Sequence, residues 1–359
     1  MKNRLKIILP IIVVLGFLMF NFMHAQTRIT RKTNPDLPVL KDGWQGNVLI
    51  NGKFFNDTIA EKAPFWNVLK WKLSRNPQRE EKKRDTFQLR MLPIDNYDKN
   101  ENYIVWLGHS SFVISVNGVL LLTDPVFINL PNAKRKVALP CNIDDLKGID
   151  YLLISHDHRD HFDKKTVETI MGNNPDIEAL IPLNGGRLLN GKKLRKIKRQ
   201  EAGWFQEYNL ANDIRILLLP AKHWGRRGLN DFNKTLWGSF LIIANGMKIF
   251  FAGDTAYDEH LFNEIQQLFG DIDICLLPIG AYSPAFLMQK EHTNPEEALQ
   301  VFSDLGGKLF IPMHYGTYDL SNEPLGEPIT RLRQSAIEKG IEQQIIDLKV
   351  GEKYLIINE

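Results

Sequence analysis

Six consecutive residues, His156-Asp-His158-Arg-Asp160-His161, carry three imidazoles and two carboxylates, groups able to bind a metal ion. Imidazole nitrogen and carboxylate oxygen are the ligands that suit Zn²⁺ and similar borderline metals. The window follows the apolar run Tyr151-Leu-Leu-Ile154, which reads as a buried strand. In an extended segment residues two apart point the same way, so His156 and His158 can share one ion. Asp160 and His161, one step on, can turn toward a second ion beside it. A polar loop with coincidental histidines is the plain alternative. The chain has nine histidines in 359 residues, and three of them fall in this window, which argues against coincidence. A metal site also needs partners from elsewhere in the chain. His223 follows Ile216-Leu-Leu-Leu219 and Pro220-Ala-Lys, Asp254 follows Ile249-Phe-Phe-Ala-Gly253, and His314 follows Leu309-Phe-Ile-Pro-Met313. Each stands just past a short apolar run, at the rim where ligands collect in an α/β architecture.

This order, His-x-His-x-Asp-His and then His, Asp and His after separate strands, resembles the metallo-β-lactamase superfamily from about Val105 to the C-terminus. Within it, the finer wording is similar to the phospholipase D branch that hydrolyses N-acyl-phosphatidylethanolamine. The residues that carry this likeness include Trp106-Leu-Gly-His109, Thr123-Asp-Pro125, His223-Trp224, Leu236-Trp-Gly-Ser239 and Phe251-Ala-Gly-Asp-Thr255. Gly280-Ala-Tyr282, His292-Thr-Asn-Pro-Glu-Glu-Ala298 and Met313-His-Tyr-Gly-Thr317 continue it. The resemblance implies a four-layer αββα sandwich with two Zn²⁺ at one edge. His156, His158 and His223 would bind the first ion and Asp160, His161 and His314 the second, with Asp254 bridging. Other divalent transition metals suit the same ligands. A purely structural zinc is disfavoured, because such sites close with four ligands, often cysteines, and none is in range here.

The elements that must position these groups can be read around them. Phe112-Val-Ile-Ser-Val, Asn117-Gly118 and Val119-Leu-Leu-Leu-Thr-Asp124 form one hairpin pattern. Phe240-Leu-Ile-Ile-Ala, Asn245-Gly246 and Met247-Lys-Ile-Phe-Phe-Ala-Gly-Asp254 repeat it. Asn-Gly between apolar runs signals a type I′ turn. Each hairpin precedes a related strand, Ile149-Asp-Tyr-Leu-Leu-Ile-Ser155 or Ile272-Asp-Ile-Cys-Leu-Leu-Pro278. The chain is therefore expected to be α/β, built from two similar halves, with two sheets face to face and helices outside. Asp163, Asp258 and Asn294 stand where N-caps of three helices are expected. Residues 64–73 also have helical spacing.

At the N-terminus Lys2, Arg4 and Lys6 precede an apolar run over residues 7–20, with no acidic residue before Asp36. This pattern marks residues 1–25 as a signal peptide or an N-terminal membrane anchor, with the catalytic domain outside the cytoplasm. The run is short for a span of about 20 residues, and cleavage after Ala25 is open. Residues 26–100 are expected to be a lead-in that wraps the domain, and residues 101–359 the hydrolase domain. Removing the three N-terminal cations from 45 basic residues leaves 42, against 42 acidic ones. A neutral domain gives a nucleic-acid partner no electrostatic support. Cys141 and Cys275 stand outside any metal spacing and define no disulfide framework.

Several groups support more than one role. His292 can donate a proton to a leaving oxygen, the bridging Asp254 being the other catalytic candidate, or make a hydrogen bond at the start of a helix. Asp124 ends the first hairpin where Asp254 ends the second, and suits either a supporting contact to a ligand or a structural one. His109 is read as a structural histidine, and Asp157 as pointing away from the ions. Trp224, Tyr282, Phe286 and Met288 can wall an acyl-chain site or pack in the core. Where relatives in the phospholipase branch carry Arg-Trp, this chain has Ala285-Phe286, which leaves headgroup and acyl preference open. Six cations in Lys192-Lys-Leu-Arg-Lys-Ile-Lys-Arg199 suit a solvated helix face or loop, or contact with anionic membrane headgroups. The function expected is a dizinc phosphodiesterase acting on N-acyl-phosphatidylethanolamine or a related phospholipid, releasing phosphatidic acid. A lactone hydrolase of the same fold is the alternative; a binding protein without turnover is a third.

Overall fold

The computed structural model describes residues 27–55, 65–94, 97–211 and 213–357. The basic and apolar N-terminal segment expected as signal or anchor lies outside these residues. Among the described residues no helix is long and apolar enough to cross a membrane.

The first described elements are a three-stranded antiparallel sheet, β1 (Ile29–Lys32), β2 (Asn47–Ile50) and β3 (Lys53–Phe55), and helices α1 (Phe65–Leu73) and α2 (Arg79–Arg84). The lead-in therefore carries a small sheet of its own, which the sequence reading did not anticipate. Its polar groups bond into the rest of the chain. Asn47 accepts from the Trp204 backbone, the Phe54 N–H reaches the Asn233 carbonyl, and Trp71 donates to the Asn322 side chain.

Two larger sheets follow. β4 (Tyr103–Gly108), β5 (Ser111–Val116), β6 (Val119–Thr123) and β7 (Tyr151–Leu153) lead into α3 (Lys164–Asn173), β8 (Glu178–Pro182) and β9 (Lys198–Ala202). Then come β10 (Gln206–Glu207), β11 (Ile214–Leu219), β12 (Ser239–Ala244), β13 (Met247–Phe251), α4 (Glu259–Phe269) and β14 (Ile274–Pro278). The short α5 (Ala285–Met288), α6 (Pro295–Asp304), β15 (Leu309–Met313), α7 (Glu327–Glu338) and β16 (Lys353–Leu355) complete the order. β16 returns to the first sheet, giving orders β16-β4-β5-β6-β7-β8-β9 and β10-β11-β12-β13-β14-β15.

The two halves have the same plan. β5 and β6 turn at Asn117-Gly118, and β12 and β13 at Asn245-Gly246, all four residues with positive φ as a type I′ turn requires. Each hairpin then pairs in parallel with the next strand, Leu121 beside Tyr151 and Ile249 beside Ile274. The two turns also meet, Asn245 donating to the Asn117 side chain at 3.2 Å.

Alternation explains why the strands are apolar throughout. On β4, Ile104 and Trp106 face the other sheet, while Tyr103, Val105 and Leu107 face outward. The outward set is covered by Val167 and Ile170 of α3, and the second sheet by Phe262, Phe302 and Leu332 of α4, α6 and α7. Helix, sheet, sheet and helix form the expected αββα order. The helices start where their caps stand: Asp163 accepts from Thr166, Asp258 from Leu261, and Asn294 closes a capping box with Glu297.

The basic run takes another form than the helix face or loop expected. Residues 194–196 make one 3₁₀ turn, and Lys198 and Arg199 open β9, an edge strand paired only with β8. Exposed cations on an edge oppose pairing with a further strand. Alternation had been masked there by charge.

The inter-sheet contact sets stability. Phe112 and Phe251 meet edge to face across the sandwich, with centroids 6.3 Å apart and both rings fully buried. Phe112→Ala is expected to lower unfolding free energy by about 3–5 kcal/mol, measured from urea midpoints. A loss below about 1 kcal/mol would show that this contact does not hold the layers together.

Candidate metal centre

Every candidate ligand leaves the end of a strand. Past β7 the chain turns through Ser155 to Phe162 before α3 begins. Ser155 anchors that turn, its N–H on Asp124 Oδ1 at 2.7 Å and its hydroxyl on Asp124 Oδ2 at 2.5 Å. Arg227 clamps it from outside by donating to the carbonyls of Asp157, His158 and Phe162, with its guanidinium over the Phe162 ring. Asp157 points away from the histidines, against Gly225, where burial raises its carboxyl to about 6. His223, Asp254 and His314 follow β11, β13 and β15, so both sheets supply one rim.

Two groups of four side chains converge there, each with ligand atoms within 4.8 Å of one another: His156, His158, His223 and Asp254, and His109, Asp160, His161 and His314. In the first, His156 Nε2 and His223 Nε2 lie 3.0 and 3.1 Å from His158 Nδ1. Tetrahedral zinc with bonds of about 2.0–2.1 Å places neighbouring ligands about 3.3–3.4 Å apart. In the second, His161 Nε2 is 3.1 Å from Asp254 Oδ2, and His314 Nε2 is 3.2 Å from Asp254 Oδ1. Asp160 Oδ2 is 3.7 and 3.6 Å from the same nitrogens. Asp254 sits between the groups, also 3.8 Å from both His156 and His223.

The donor chemistry fits a cation. His161 Nε2, His314 Nε2 and Asp254 Oδ1 are buried yet have no hydrogen-bond partner among the described residues. Such atoms carry a desolvation cost that ligation removes. Burial lowers His156 and His223 well below the ordinary imidazole range, and His158 to about 4, which keeps them neutral and ligand-ready. At His161 and His314 burial opposes charging, but Asp254 and Asp160 outweigh it and the shift is upward, to about 9 for His314. The two carboxylates thus draw positive charge into a dry pocket. A divalent ion answers that demand without the protons.

Contacts behind the ligands fix their rings. His161 Nδ1 lies 2.8 Å from Asp124 Oδ2, His156 Nδ1 lies 2.9 Å from the Ser155 hydroxyl, and His223 Nδ1 lies 2.9 Å from the Glu291 carbonyl. These are the outer partners that orient ligating imidazoles. Asp124 is therefore a supporting contact. His109, read as structural, stands in the site itself, its Nε2 3.1 Å from Asp160 and its ring 4.0 Å from that of His314. The available signal was its place after β4, since the candidate ligands also follow strands. Glu291 and Arg227 went unremarked in the sequence, because their roles run through backbone carbonyls.

The remaining candidates separate. His292 Nδ1 is 3.8 Å from Asp254 Oδ2 and is buried without a partner. Trp224 stands edge-on to His158, centroids 4.5 Å apart. Tyr282 is buried elsewhere than as a free wall residue: its hydroxyl donates to Glu327 at 2.6 Å, and Arg331 lies over its ring. Phe286 is 60% exposed on α5, and Met288 of the same helix accepts the His292 N–H.

A family model described as a β-lactamase superfamily domain matches residues 120–315. The chain is 31% identical over 262 residues to N-acyl-phosphatidylethanolamine-hydrolyzing phospholipase D 1 of Caenorhabditis elegans, covering 68% of this chain and 74% of that one. It is 32% identical over 260 residues to the mitochondrial protein of the same activity name from Saccharomyces cerevisiae, covering 70% of this chain and 55% of that one. A solved metallo hydrolase from the archaeon Ignicoccus hospitalis aligns with TM-score 0.54 and 21% identity, over 72% of this chain and 99% of that one.

Asp124→Asn replaces the carboxyl group behind His161 with an amide of the same shape. Zinc affinity is expected to fall about 10- to 100-fold, measured by competition with a chromogenic chelator. Unchanged affinity would show that Asp124 serves only the Ser155 turn.

Proposed function

This chain belongs to the metallo-β-lactamase superfamily and is a metal-dependent hydrolase, and we propose that its substrate bond is the headgroup-side phosphodiester of a glycerophospholipid, N-acyl-phosphatidylethanolamine or a close relative. The observation that carries the reading is the relationship to the worm phospholipase D over 74% of that protein's length. The converging side chains support it, because a carboxylate between two imidazole clusters suits a paired cation site. We assign His156, His158 and His223 to one ion, Asp160, His161 and His314 to the other, and Asp254 to both, with zinc favoured by the nitrogen-rich set. Two such ions, when bound, lower the pKa of a shared water and neutralise charge developing on a phosphoryl oxygen.

The protein's own groups supply the rest. Burial of His156, His161, His223, Asp254 and His314, all below 4% exposure, excludes bulk water and strengthens each electrostatic contact. His292 is held neutral, burial lowering it to about 4. At neutral pH it therefore offers a ring N–H to orient a leaving oxygen, not a proton to give away. Trp224 forms an apolar wall against His158 and holds that ligand's ring in place.

Attack on phosphorus and attack on a carbonyl are separated by isotope placement. Hydrolysis of N-acyl-phosphatidylethanolamine in ¹⁸O-labelled water is expected to label phosphatidic acid and leave N-acylethanolamine unlabelled. Elemental analysis of the active protein should give close to two metal ions per chain. Label in a free fatty acid, or turnover of lactones alone, would replace the phosphodiester reading with the lactone one.

A further inference from the structure

An open trough of about 470 Å³ lies beside the metal centre, lined by Leu130, Pro131, Ala133 and Leu320 together with Arg159 and Asp160. That size is within the range of small-ligand sites. Asp160 belongs to both the trough and the ligand cluster, so the trough borders the metal centre. At 19% exposure its side chain is also the most open of the ligand carboxylates, against 1% for Asp254.

Arg159 stands at this junction with its charge unanswered. Its guanidinium donates to the Arg227 carbonyl at 3.3 Å, and among the described residues no carboxylate lies within ion-pair distance of it. The neighbouring Asp160 carboxylate is turned inward to His109, His161 and His314. Arg227, by contrast, spends its guanidinium on three carbonyls of the ligand loop, and Arg226 bonds carbonyls of its own turn. A planar guanidinium without an acid partner matches a phosphoryl group, to which it can present two parallel N–H donors. The aliphatic side chains beside it match a hydrocarbon chain.

We propose that Arg159 is a specificity-determining residue, which seats a non-bridging phosphate oxygen of a lipid whose alkyl chain lies along Leu130, Ala133 and Leu320. This rests on the phosphodiester reading above and names how its substrate is chosen: an anionic amphiphile over a neutral one. Among the described residues no hydrogen bond or ion pair joins the Arg159 side chain to a ligand side chain, so Arg159→Ala is expected to leave the metal cluster intact.

The test compares decyl phosphate, below its micelle-forming concentration, with decanol as ligands of the metal-loaded protein by calorimetry. Arg159→Ala is expected to weaken decyl phosphate about five- to tenfold and decanol less than twofold, with Arg159→Lys recovering part of the loss. Leu320→Asn is expected to weaken both ligands. Equal losses for the two ligands in Arg159→Ala, or no loss for the phosphate, would overturn the assignment. Kinetics separate it from the broader reading. Unaltered protein that cleaves the phosphodiester while Arg159→Ala keeps the same KM overturns the role of Arg159 alone. Lactone turnover alone overturns the phosphodiester reading, and the calorimetric comparison still decides whether Arg159 seats the anion.

Discussion

Among the described residues six imidazoles, those of His156, His158, His161, His223, His292 and His314, crowd around the buried Asp254 carboxylate, and the rest of the molecule is arranged to make that crowding tolerable. His156 and His223 bring nitrogen atoms to 3.0 and 3.1 Å of His158 Nδ1, while His161 and His314 approach Asp254 at 3.1 and 3.2 Å. Neutral imidazole has one donor and one acceptor, so three converging nitrogens cannot all be satisfied by each other. Leaving buried polar atoms unpaired costs on the order of 1–3 kcal/mol each. A protein core would expel such a cluster unless something else compensated it, and a cation at the centre is the compensation its chemistry calls for.

Holding the ligands in place falls to the backbone around them. The rim residues His109 and His314 have φ of 55° and 62°, in a left-handed region that non-glycine residues rarely adopt. Both are tied down: the His109 N–H bonds the Thr317 hydroxyl, and the His314 N–H bonds the His109 carbonyl. Trp106 donates to that same carbonyl from the sandwich interior. The strain is thus carried by contacts reaching into the core, which links sheet packing to ligand geometry. Arg227 does for the His156–His161 turn what Thr317 and Trp106 do for His109.

What the sequence disclosed and what it withheld divide along a physical line. The Asn-Gly turns, the caps at Asp163, Asp258 and Asn294, and the seven ligand-type residues were legible because each is a local pattern or stands at a strand end. The αββα order was legible because apolar strands without alternation must be covered on both sides. The partner of His109 was not legible, because Asp160 is 51 residues away and the fold brings them to 3.1 Å. For Tyr282 a substrate wall and core packing were both open, and its partner Glu327, whose carboxylate takes its hydroxyl, is 45 residues on. Arg159 lay in the middle of the most legible motif and drew no comment, since only the surrounding trough distinguishes a free cation from a paired one. The small sheet β1-β2-β3 was hidden by its exposed and mixed residues, which carry little periodic signal.

Asp124 and Asp254 show how far equivalence of position goes. Each ends the second strand of an Asn-Gly hairpin, one in each half, and each is fully buried. Their environments then diverge. Asp124 has the Ser155 hydroxyl and N–H and one imidazole, His161, and burial wins: its carboxyl is raised above the usual range. At Asp254 burial also acts upward, but His161 and His314 together overcome it and hold the carboxyl well below that range. One aspartate is therefore suited to brace a ligand, the other to stay ionised among them. The hairpin sets only where a carboxylate stands. The imidazoles gathered around it, for Asp254 His161 from the first sheet and His314 from its own, set what it does.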